Sequence, residues 1–172
     1  MKRIFSRPRV LPARHKGSVT IELALMLPVI AIFVLGATDI GLIIREHQVL
    51  QNAAREGARF SSQPANRIDS TNPSATPESI RDKVINYLAQ EKITIAVTAC
   101  TADGAVAKQW NCGAITIQQQ FPIPTVVGGV TVTDFGSSVA VTYNRGFLFS
   151  GGSLFKFNQV SLTGNSVFHN LY

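Results

Sequence analysis

The sequence predicts an α+β fold: a long N-terminal transmembrane helix, then a small antiparallel-sheet head with one short helix. Three observations carry that prediction. From Val19 to Ile44 an apolar stretch holds only two charges, Glu22 and Asp39. A helical spacing of small and apolar residues continues from it to about Ser61. Beyond residue 90 the period changes to two, in β-branched runs punctuated by glycine. The organisation that follows is a basic leader over 1–17 and a long helix over 18–61 with its span at 19–44. A linker at 62–77 and a head domain at 78–172 complete it.

The leader holds Lys2, Arg3, Arg7, Arg9, Arg14 and Lys16 and no acid. These six account for the formal net charge of +6, and the rest of the chain is balanced. A neutral head argues against nucleic-acid binding, which needs a basic face on the folded domain. Positive charge before an apolar span places the N-terminus in the cytoplasm. The span would rise about 39 Å as a helix, enough to cross a hydrocarbon core of about 30 Å with some tilt. Pro28 removes one backbone hydrogen bond inside it and is expected to kink it. Glu22 is the informative residue, because a carboxylate in a span costs roughly 2.5–3.5 kcal/mol on insertion scales and a plain anchor has no use for it. Asp39, near the far end, either reaches the headgroup region or pairs between helices.

A secretory signal peptide competes with this reading. Leu23–Leu35 would be its apolar core and Val34-Leu35-Gly36-Ala37 its small-residue cleavage site. An acid at the start of the core and a helical pattern that runs on past Ala37 count against it.

After Ile44, Leu50, Ala53, Ala54, Gly57 and Ala58 share one helix face. Ala37/Gly41, Ala53/Gly57 and Ala54/Ala58 are small-xxx-small pairs that allow close helix packing, either on the protein's own head or on neighbouring subunits. Residues 61–77 are polar and proline-rich. Thr76 then reads as an N-cap with Pro77 at the first helical position, opening a helix to about Gln90 with Ile80, Val84, Ile85 and Leu88 on its apolar face. Strands are expected at 93–98, 115–118, 130–133, 138–143 and 159–167.

Cys100 and Cys112 are the only cysteines and flank a turn-rich segment with Asp103-Gly104. No histidine lies at ligand spacing from them, since His15, His47 and His169 are scattered, so a structural disulfide is favoured over a metal site. No nucleophile elbow, phosphate loop or metal set is present, and the reading is of a non-enzyme without cofactor. His47 beside Glu46 on the long helix could suggest acid-base work, but a solvated helix face is the expected setting. Trp110, Phe121, Phe135, Phe147, Phe149, Phe155 and Phe157 could form an adhesive patch but are read mostly as core or loop anchors, with the glycine-rich Phe147–Phe157 segment the best exposed interaction loop.

The run Lys16-Gly17-Ser18-Val19-Thr20-Ile21-Glu22-Leu23-Ala24-Leu25-Met26-Leu27-Pro28-Val29 resembles a type IV pilin signal. Together with Gly36-Ala37-Thr38-Asp39-Ile40-Gly41 and Gln51-Asn52-Ala53-Ala54-Arg55-Glu56-Gly57-Ala58-Arg59, it resembles the TadE-like pseudopilins of tight-adherence (Flp-type) pili. The resemblance covers residues 14–60. It implies cleavage by prepilin peptidase between Gly17 and Ser18, and Glu22 as the acid that docks a subunit, pairing with a neighbour's freed Ser18 amine. Asp39 is the second candidate assembly residue. The implied partners are that peptidase, the pilus assembly platform, other pseudopilins and the inner membrane, with the head in the periplasm or at the cell surface. The rivals are a secreted adhesin domain released near Ala37 and an uncleaved membrane accessory protein.

Overall fold

The structure, a computed structural model, describes residues 18–69, 72–147 and 159–170. The leader 1–17 with Gly17 and His15, and the aromatics Phe149, Phe155 and Phe157, lie outside the described residues. Helix α1 runs Ser18–Ser61, α2 runs Pro77–Gln90, and the strands are β1 Val97–Ala102, β2 Gln109–Gly113, β3 Ile115–Val127, β4 Val130–Gly146 and β5 Gln159–His169. The architecture is α+β, with one antiparallel sheet in the order β1-β2-β3-β4-β5. The chain divides into two units, residues 1–38 and 39–172.

In the first unit, α1 continues without interruption through Pro28. Val19 to Thr38 is exposed apart from the half-buried Ala31. Val19–Ser61 is the one helix among the described residues long and apolar enough to cross a membrane.

In the second unit the core is built on one face of the sheet. Ile115, Ile117, Val139, Val141 and Leu162 come from alternate positions of β3, β4 and β5. Leu50, Ala53, Ala54 and Ala58 of α1 and Ile80, Val84 and Leu88 of α2 fill the same cluster. Fully burying a Leu, Ile or Val contributes about 1.5–3 kcal/mol each. The small residues of α1 admit the sheet at close range. A Cβ on Gly164 of β5 would collide with the backbone of Leu50 and sit 2.7 Å from the amide nitrogen of Gln51. The small-residue pairs at 53–58 therefore pack on the protein's own head, whereas Gly36 and Gly41 have nothing within 4 Å of a built Cβ.

Helix α2 starts as its sequence dictates, with the Thr76 hydroxyl accepting from the Ser79 amide at 3.3 Å. It stops in a Schellman arrangement: the Ile93 amide donates to the Leu88 carbonyl at 3.0 Å and Lys92 to Ala89 at 3.1 Å. Lys92 takes the left-handed conformation, φ 61°. The stop takes up Lys92 and Ile93, and the strand expected at 93–98 begins only at Val97. Ile93 instead joins the core beside Leu88.

Three further corrections concern the sheet. Gln109–Gly113 is a strand that carries no alternating apolar pattern. The expected 115–118 strand extends to Val127 across Pro122 and Pro124. Its partner β2 reaches only Gln118, so the prolines sit where β3 has become an edge and missing N–H groups break no ladder on that side. A bulge at Gln119–Phe121, with Gln120 at φ 56°, marks the change. Finally, the expected strands 130–133 and 138–143 are one continuous strand.

Candidate functional site

The residues singled out by sequence fall in separate places. Ser18 is the first residue of α1, and Gly17 lies outside the described residues. Glu22 is exposed one turn into the helix, in the unit formed by residues 1–38. The Val19–Leu35 surface around it is apolar and uncovered, with Phe33 75% exposed.

Asp39 is in a different setting. It is buried, and its Oδ1 lies 3.5 Å from Nη2 of Arg145 on β4. Nη1 of the same guanidinium lies 3.2 Å from Oε1 of Glu46. That second approach is an ion pair without hydrogen-bond alignment, because Nη1 and Glu46 Oε2 are both buried without a hydrogen-bond partner. The side chains of Asp39, Arg145 and Glu46 are 8%, 9% and 21% exposed, so the three charges are largely out of water. Sequence reasoning missed Arg145, and it placed Glu46 on a solvated helix face, whereas Glu46 is half-buried against Arg145. The signal was present: Arg145 continues the buried phase of β4 after Val139, Val141 and Tyr143, where a charge needs a partner. Asp39 and Glu46 are seven residues apart, two turns along one helix face.

Cys100 and Cys112 form a disulfide across β1 and β2, with Cα atoms 4.2 Å apart. The hairpin they join is tied by Asp103. Its Oδ1 accepts from the Ala105 amide at 2.9 Å, and Oδ2 accepts from the side-chain amides of Gln109 at 2.9 Å and Asn111 at 3.3 Å. The backbone bond from Ala105 leads the effects that hold the Asp103 carboxyl below the usual carboxylate range. Among the described residues, no group of three or more His, Cys, Asp or Glu is placed to hold a metal ion.

A second group that sequence did not reveal is the buried Gln119. Its Nε2 donates toward the Ser61 hydroxyl at 2.9 Å, the Asn66 carbonyl at 3.0 Å and the Ser61 carbonyl at 3.1 Å, while Oε1 accepts from the Ile68 amide at 2.9 Å. One amide thus fixes the turn after α1, where the sequence suggested only a linker. Of the aromatics, Trp110 packs against the core and Phe135 is 50% exposed. At the far end of the sheet, His169 Nδ1 lies 2.7 Å from Asp134 Oδ2, and that hydrogen bond lowers the Asp134 carboxyl pKa.

Neither the curated proteins nor the solved structures contain a match to this chain. A protein-family comparison does find one, and it covers the segment that holds Ser18, Glu22 and Asp39: residues 17–59 match the family described as TadE-like protein.

Proposed function

We propose that the protein is a minor pseudopilin that takes part in assembling a tight-adherence pilus and in the surface adhesion that depends on it. The observation that carries this reading is an acid-bearing apolar helix, uncovered from Val19 to Thr38, inside the segment that matches the TadE-like family. A bare apolar surface of this size needs a membrane or other helices around it. The role is structural rather than enzymatic. The span sits in the inner membrane with the leader cytoplasmic, and the disulfide-bridged head faces the periplasm, where oxidation of Cys100 and Cys112 is favoured. Prepilin peptidase removes the leader after Gly17, and Glu22 then docks the subunit against its neighbours in the assembly platform.

The test is the mature N-terminus. Sequencing should find Ser18 first, and Gly17→Val should leave the precursor in the membrane, because a bulky side chain keeps the backbone out of the peptidase site. A start near Ala37 would instead establish a secreted domain, and an intact leader an anchored accessory protein. Glu22→Ala should reduce pilus-dependent adherence at unchanged protein level, and wild-type adherence from it would remove the docking role.

A further inference from the structure

We infer that Arg145 is an intramolecular clamp that fixes the sheet to α1 by pairing with both Asp39 and Glu46, and that Asp39 is consequently a within-chain partner rather than an acid for docking subunits. The clamp stands on geometry alone. Only its corollary, that Glu22 is left as the assembly acid, rests on the pilus reading.

The two acids lie two helical turns apart on the face of α1 that meets β4, about 10.5 Å along the axis. A guanidinium has two terminal amino groups in a fixed fork, and here each approaches a different acid. A lysine ammonium has no such fork. Breaking a buried pair by removing one partner is strongly destabilising, since the remaining charge is uncompensated. Loss of Arg145 takes the guanidinium from both acids at once, and loss of Asp39 leaves Arg145 still facing Glu46. Asp39 is also too enclosed, at 6% exposure, to meet a second chain without first leaving Arg145.

The experiment uses the full-length protein in native membranes, with thermolysin cleavage of the head as the readout. Cleavage of the transiently open form reports the opening equilibrium. Arg145→Met should speed cleavage more than Asp39→Asn. The double variant should be cleaved more slowly than the product of the two single effects predicts, by about tenfold, as expected for residues in contact. Single effects that simply multiply would overturn the clamp. Charge reversal covers the case in which Arg145→Met fails to accumulate. In a Glu46→Gln background, Asp39→Arg and Arg145→Asp together in one chain should restore resistance that either reversal alone abolishes. The same two reversals placed on separate, co-expressed chains should restore nothing. Recovery across chains, or none within one chain, refutes the inference. None of these readouts involves a pilus, so they stand or fall separately from the proposed function.

Discussion

From Val19 to Thr38, helix α1 shows apolar side chains in every direction and leaves all but the half-buried Ala31 exposed. From Asp39 to Ser61 the same helix is two-faced: Leu50, Ala53, Ala54 and Ala58 are fully buried, while Arg55 and Arg59 on the other side are exposed. Both halves carry small residues at helical spacing, and their meaning differs. At Ala53, Ala54, Gly57 and Ala58 they are the price of bringing a helix backbone against a sheet. At Gly36, and still at Gly41, they leave open space around the helix. Composition alone does not distinguish these uses. The distinction comes from whether the rest of the helix turn is polar, as it is after Ile44, or apolar all round, as before it.

The sharpest way to break this comparison is the same substitution in each half. Gly57 faces Val84 and Val139, whereas Gly36 faces nothing. Gly57→Leu should cost the head roughly 3 kcal/mol or more, since overpacking here presses on core side chains from two elements. Gly36→Leu should leave the melting of the head unchanged. Equal losses from the two would show that the first half is also packed on the protein's own chain.

A smaller loss is expected at the end of the buried half. Gln119→Leu removes the one amide that serves Ser61, Asn66 and Ile68, and strands the buried groups of Ser61 and the partly buried backbone groups of Asn66 and Ile68. The cost should be about 2–3 kcal/mol in denaturant unfolding. Faster hydrogen exchange should be confined to the Ile68 amide and the residues beside it.

One substitution should stabilise. Lys92 ends α2 with a left-handed backbone that side-chain-bearing residues adopt at a penalty. Lys92→Gly should raise stability by about 1 kcal/mol, read as a shift of the denaturation midpoint with unchanged slope.

The smallest effect concerns pH. Asp134, bonded to His169, has its carboxyl pKa lowered in the folded state. Its contribution is therefore present above the ordinary carboxylate range and is lost as pH falls through the depressed folded value. Asp134→Asn should flatten the acid side of the stability profile slightly and leave neutral pH almost unchanged, since the pair is half exposed. Acid profiles that superimpose would remove the pair from the account.

The long helix and α2 were legible because their signals are local: an apolar run for the first, and Thr76-Pro77 followed by a spaced apolar face for the second. The cysteine bridge was legible because only two cysteines exist. The sheet was legible as a type and not in its limits. Gln109-Trp110-Asn111-Cys112-Gly113 becomes a strand through its neighbours and the disulfide, not through alternation. Pro122 and Pro124 argue against a strand until it is known that β2 has already ended. The charge cluster required knowledge of which strand meets α1. Asp39 stands out in sequence only by its position in the span, and its partner Arg145 lies in a distant strand that sequence spacing does not connect to it.

The approach of Gly164 to the backbone of Leu50 joins opposite ends of the chain and has a consequence in time. Of the described elements α1 is made before β5, so the contact of Leu50 with Gly164 waits until residues 159–169 have emerged. No partial head made from the earlier strands can complete that contact. Closure of β5 over the helix is thus a late, long-range event in folding. A chain truncated before β5 should keep its helix, lose its packing, and present its inner apolar surface to proteases and chaperones.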